Sequence, residues 1–157
     1  MLLASVAPGE VCLTAFVMDR YCIERGTLLD NPSIVTLEDP GAHSVHCLVD
    51  VDVCSSSPFE LLTPPTTAPP QYTRAFVLDD NAKAAVIVLA RTEGTCSTCY
   101  GGGVQARGFS VTAVGTPLAD GGEPRLLSAV KIKSASAVAC PPPAPPLDPR
   151  PPPLPLS

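Results

Sequence analysis

The chain is predicted to be mainly β with some helix (α+β). The expected fold is a small OB-like β-barrel with one inserted His/Cys-bearing helix and a disordered proline-rich C-terminal tail. Three observations predict it. Short β-branched and apolar runs recur through residues 10–139, separated by turn residues. One segment, Gly41 to Cys54, departs from the strand pattern and reads at a helical period. Past Cys140 the composition turns to proline. A length of 157 residues leaves room for one core and an appendage. The chain therefore divides into an arm or signal-peptide remnant over 1–9, a cysteine-containing β domain over 10–139 and a tail over 140–157.

In chain order, Met1 to Gly9 lacks a basic start and a full apolar stretch, yet Ser5-Val6-Ala7 has the small-x-Ala form of a cleavage site. It reads equally as a leader remnant or as a frayed arm. Val11 to Met18 is the first strand. In Gly41 to Cys54, Pro40 suits a helix start with Asp39 as its cap. A continuous helix there would gather His43, His46, Cys47 and Cys54 on one face. Phe59 to Leu62 is a short strand, and Pro64, Pro65, Pro69 and Pro70 mark an exposed loop. Tyr72 to Asp79 and Ala84 to Arg91 read as strands around an Asp80-Asn81-Ala82-Lys83 hairpin turn. Thr92 to Gly103 is a glycine-rich loop holding Cys96 and Cys99. Phe109, Val111 and Ala113 alternate with polar residues, as do Val130 and Ile132 with Lys131 and Lys133, and Gly121-Gly122 turns between these last two strands. The tail holds half of the 20 prolines, so it is expected to be an extended polyproline II spacer.

Composition narrows the function. A net charge of −5 with scattered Lys and Arg argues against nucleic-acid binding. No apolar run approaches the ~18–20 residues that span a bilayer. The sequence has no nucleophile elbow, P-loop, dinucleotide fingerprint or H-E-x-x-H motif. No catalytic residue is assigned, and the reading leans away from an enzyme. Asn31-Pro32-Ser33 is not a glycosylation acceptor, because proline occupies its middle position.

The cysteines carry the chemistry. The apolar fraction is 45%, but there are only four Phe, three Tyr and no Trp. Burial returns roughly 25 cal/mol per Å² of apolar surface, so small side chains contribute little each. Such a core invites covalent or metal staples. In an oxidising compartment Cys12, Cys22, Cys47 and Cys54 are disulfide candidates in any of three pairings, and Cys96 with Cys99 would form a local clip. Seven is odd, and Cys140 is the expected leftover, free or joined to a second chain. The same side chains read differently as metal ligands. Cys96-x-x-Cys99 is one half-site, and His43, His46 and Cys47, with Cys22 and Cys54, are the other candidates for zinc. Copper would take the histidines, a cysteine and Met18. The plain alternative makes both histidines half-exposed polar residues beside a disulfide. Redox catalysis through Cys96-x-x-Cys99 is disfavoured, because Gly101-Gly102-Gly103 does not begin a helix.

Val17-Met18-Asp19-x-x-Cys22, His43-x-x-His46-Cys47, Cys54 and Phe59-Glu60-Leu61-Leu62 together resemble a loose group of small, mostly uncharacterised domains with a strand-Asp-x-x-Cys start, a His/Cys helix and an OB-like remainder. That resemblance spans residues 10 to 136, implies an exported or cell-surface setting, and brings no catalytic residues. The tail resembles the proline-rich spacers of hydroxyproline-rich wall glycoproteins of green algae and plants, without their Ser-Pro repeats. The expected function is a non-catalytic extracellular or cell-surface module stapled by disulfides, with no cofactor and with a protein or wall or matrix component as partner. The alternative is a zinc- or copper-binding or redox domain using the His43/His46/Cys47 helix. Pro152-Pro153-Leu154-Pro155 would also suit a polyproline-binding groove if the tail were cytosolic.

Overall fold

The computed structural model describes residues 1–66, 68, 70–93, 106–119 and 122–145. Its strands are β1 Leu2–Leu3, β2 Val11–Asp19, β3 Phe59–Thr63, β4 Thr73–Leu78, β5 Ser110–Pro117, β6 Arg125–Ser134 and β7 Val138–Ala139. Its helices are α1 Arg20–Arg25, α2 Val45–Asp50, α3 Asp52–Ser55 and α4 Asp80–Thr92, with a 3-10 turn at Pro40–Ala42. The long β-branched runs pair around a closed barrel in the order β2-β3-β4-β6-β5. All neighbours are antiparallel except β4 and β6, which run parallel. The central strand β2 serves two partners, Val11 to Phe16 facing β5 and Phe16 to Asp19 facing β3. Parallel neighbours need a crossover, and α4 and β5 lie in the chain between β4 and β6. This is the OB arrangement expected from the sequence.

Strand alternation sets up two cores. On β2 and β3, Ala15, Val17, Phe59 and Leu61 fill the barrel with Val111, Ala113 and Leu127. Met18 and Leu62 face the other way, into a second cluster with Cys22, Ile23, Leu28, Cys47 and Cys54. The segment between β2 and β3 folds over this outer face. It buries β3 and the end of β2 on both sides and creates the enclosed space where Cys22, Cys47 and Cys54 meet.

The structure corrects several expectations. Ala84 to Arg91 is not a strand, and Asp80 to Lys83 is not a hairpin turn; both belong to α4. Asp79 caps that helix by accepting from the Ala82 N–H, and Ala82, Val86 and Ala90 recur every four residues as its buried stripe. Gly41 to Cys54 is not one helix but a 3-10 turn and two short helices, so there are four α-helices among the described residues. Pro40 does start the first turn, but Asp39 makes no capping bond; Ser44 caps α2 instead. The N-terminal arm is paired rather than frayed, since β1 runs parallel to β7. Cys140 is not left over. It is bonded to Cys12, which ties the root of the tail to the first barrel strand. Gly121, the Cys96/Cys99 half-site and tail residues 146–157 lie outside the described residues. No helix among the described residues is long and apolar enough to cross a membrane.

Candidate metal centre

Three short helices each deliver one cysteine to the same point. Asp19 ends β2 and caps α1, its Oδ1 accepting from the Cys22 N–H at 2.8 Å. Ser44 caps α2, its Oγ accepting from the Cys47 N–H at 3.1 Å. Cys54 occupies the same third position in α3. Each cysteine therefore sits in the first turn of its helix. The three thiols interact pairwise, and the Sγ atoms of Cys47 and Cys54 are 3.4 Å apart. All three residues are buried and unbridged.

His43 closes the cluster. It ends the 3-10 turn at 3% exposure. Its Nδ1 bonds Asp30 Oδ1 at 2.9 Å, and its Nε2 lies 2.9 Å from Asp19 Oδ2. That second approach is close but poorly aligned, so both Nε2 and Oδ2 are buried without a hydrogen-bond partner. The Asp19 carboxylate is within 4.8 Å of the Cys22 and Cys54 sulfurs, and His43 stands as near to Cys47. Gly108 makes the close approach behind His43 feasible. Its φ is +71°, its N–H donates to the His43 carbonyl, and a Cβ there would lie 2.9 Å from the Gly41 carbonyl oxygen.

The electrostatics follow from the contacts. Burial works to lower the His43 pKa, but the carboxylates of Asp19 and Asp30 outweigh it and raise it to about 9. Burial likewise opposes the Asp30 charge, yet His43 and the Ser44 N–H hold that carboxyl well below the usual range. Arg107 also reaches Asp30 Oδ2, at 3.3 Å. Among the thiols, Cys47 is pulled down by hydrogen bonds from Cys22 and Cys54, and those two are pushed up in return.

The structure thus brings together Cys22, Cys47, Cys54 and His43, and places Met18 in the same apolar cluster. His43 is buried rather than half-exposed, its ring held between the buried Asp19 carboxylate and the Asp30 carboxylate at the surface. His46 points elsewhere: its Nδ1 lies 3.0 Å from Asp50 Oδ2, and Arg91 on α4 reaches the other oxygen of that carboxylate. Cys12 stands apart, in its bridge with Cys140. Sequence reading missed Asp30 as the carboxylate behind His43, and it treated Asp19 only as part of a strand-end motif. The useful signal was a spacing: Asp19-x-x-Cys22 and Ser44-x-x-Cys47 are the same cap-to-thiol arrangement.

The donors suit zinc. Asp19 with Cys22 and Cys54, and Asp30 with His43 and Cys47, are two groups of donors each within 4.8 Å, in contact through the Cys47 and Cys54 sulfurs. Three sulfurs and one imidazole nitrogen would make a Cys3His set, with Asp30 on His43 Nδ1 as the outer carboxylate that commonly orients a metal-bound histidine. A separate cavity of about 450 Å³, lined by Arg20, Glu24, Arg74 and Glu123 among others, lies across the barrel from β4 to the β5–β6 connection. Its two arginines are already shared with the buried Glu60. Comparison of the chain with family models, curated proteins and solved structures finds no match.

Proposed function

We propose that the chain is a non-catalytic module of the cell exterior, an OB barrel held at two points. One is the Cys12–Cys140 bridge at the root of a proline-rich spacer. The other is a zinc ion bound by Cys22, Cys47, Cys54 and His43, with the Asp19 carboxylate beside it. The observation that carries this reading is the buried pair His43 Nε2 and Asp19 Oδ2, 2.9 Å apart without an aligned hydrogen bond, next to three thiols. A buried polar atom without a partner costs about 1–3 kcal/mol. An ion among these donors replaces that cost with coordination bonds. The ligands are closed off from solvent, and four protein donors leave no open position for a substrate, so the metal is structural. It does for the outer cluster what large aromatic side chains do in richer cores. The spacer holds the barrel away from its attachment, and the partner is a protein or a wall or matrix component.

Elemental analysis of natively purified protein tests the reading. About one zinc per chain is expected, lost in His43→Ala while the Cys12–Cys140 bridge persists. A metal-free native protein with Cys47 and Cys54 missing from the thiol count would replace the ion with a disulfide.

A further inference from the structure

Cys47 Sγ and Cys54 Sγ lie 3.4 Å apart, and a disulfide needs about 2.05 Å. About 1.4 Å of closure therefore separates two thiols from a covalent bond. The two residues sit on successive short helices joined at Val51, whose backbone is extended (φ −82°, ψ 117°). α3 lies at the surface, with Asp52 and Val53 exposed and Cys54 buried beneath them. Closing the pair moves one short surface turn and leaves the barrel strands in place. Cys22 is held differently, on α1 directly after β2 with its N–H on Asp19. Elsewhere the chain already carries a formed disulfide, Cys12–Cys140. Where that bond forms, free thiols in contact also oxidise unless something occupies them.

We infer that the metal centre is redox-gated: a two-electron oxidant of the peroxide class joins Cys47 to Cys54, and the ion leaves. This rests on the zinc reading above. The Cys47 thiolate attacks one peroxide oxygen, the O–O bond breaks, and hydroxide departs, leaving a sulfenic acid on Cys47. The Cys54 thiolate then attacks the Cys47 sulfur. The S–S bond forms, the S–O bond breaks, and a second hydroxide departs. Two thiolates and one hydrogen peroxide give one disulfide and two hydroxides. Two electrons pass from sulfur to oxygen, and zinc leaves with its charge unchanged. The donors that remain, Cys22 and His43, fall short of the four that a structural zinc site uses, even with the neighbouring Asp19 carboxylate added. Bound metal and the new bridge are therefore exclusive states of the same two sulfurs. A dithiol that reopens the bridge restores the site.

The test titrates the zinc-loaded full-length chain with hydrogen peroxide. Released zinc is read with a colorimetric chelator, and non-reduced peptides are mapped by mass spectrometry. The expected result is about one zinc released for every two thiols lost, a cross-linked Cys47–Cys54 peptide, and rebinding after dithiothreitol and fresh zinc. Zinc released without that cross-link, or retained once it has formed, overturns the gating alone. A chain that takes up no zinc before peroxide is added overturns the proposed function and the gating together.

Discussion

At the scale of single residues, the proposed ligands are backed by charge. Asp30 holds the far nitrogen of His43 and also receives the Ser44 N–H and Arg107. Asp30→Asn keeps the shape and removes the charge, so zinc affinity should fall by about 10–100-fold, measured by chelator competition. Unchanged affinity would mean that the backbone alone orients the ring. Glu60 poses a different problem. It is fully buried on β3 and takes Arg20 Nε at 2.8 Å and Arg74 Nη2 at 2.7 Å. Burial would raise its pKa, but the two guanidinium groups overcome that and lower it below 4.5. A depressed folded value means that the stabilisation is present above the unfolded pKa and lost as pH falls through the folded one. Acid unfolding below pH 4.5 should thus be less steep in Glu60→Gln than in the natural protein. At neutral pH that variant should lose about 2–4 kcal/mol by chemical denaturation, toward the low end because both arginines are about a third exposed.

At the scale of elements, the short helices exist because of what they hold. α3 has four residues and no side-chain cap, and isolated helices this short are unstable in water. Cys54, pinned in the outer cluster, gives it a tertiary anchor. The approach of Gly108 to Gly41 fixes how residues 106–108 back the His43 turn. Gly108→Ala adds a Cβ at a positive φ and against a carbonyl oxygen, so it should destabilise by about 1–3 kcal/mol. It should also lower zinc occupancy, and a melting curve with parallel metal analysis checks both. Losing stability with full zinc retention would separate the turn from the centre. The helix α4 shows where local reading failed. Ala84 to Arg91 is a continuous apolar and β-branched run that reads as a strand in isolation. The period-four stripe of Ala82, Val86 and Ala90 and the Asp79 cap carried the competing signal, and packing on the barrel made it win.

For the molecule as a whole, the Cys12–Cys140 bridge spans 128 positions and ties the end of the fold to its first barrel strand. A crosslink closing so long a loop removes much freedom from the unfolded chain. Cys12→Ser should cost about 2–5 kcal/mol. Truncation after Cys140 should leave the melting temperature nearly unchanged, because Pro141 to Pro145 are exposed and outside any strand. A large drop on truncation would place the tail against the barrel. The bridge and the proposed zinc site should also respond to different reagents. A chelator should loosen the outer cluster, and a reductant without chelation should act on the Cys12–Cys140 bridge. Thermal melts with each reagent alone would show two separate shifts, and identical shifts would contradict two independent staples.

By itself the sequence determined the barrel and offered His43, His46, Cys47, Cys22 and Cys54 as candidate ligands, without Asp19 or Asp30. Alternating apolar residues such as Phe109, Val111 and Ala113 specify strands because a period of two puts one face in the core. Cys22, His43, Cys47 and Cys54 were legible as a group because few other residue types can staple or ligate. Only the tertiary structure decided which sulfur meets which. Cys12 shares the outer face of β2 with Met18 but sits six residues away, at the strand's far end, where it meets Cys140 and not Cys22, Cys47 or Cys54. It likewise decided that His43 turns inward to Asp19 and Asp30 while His46, three residues on, pairs with Asp50. The helix that would have carried both histidines breaks before Ser44, and a cap residue redirects the chain. Pairings across such distances depend on the path of the whole backbone, which no local spacing encodes.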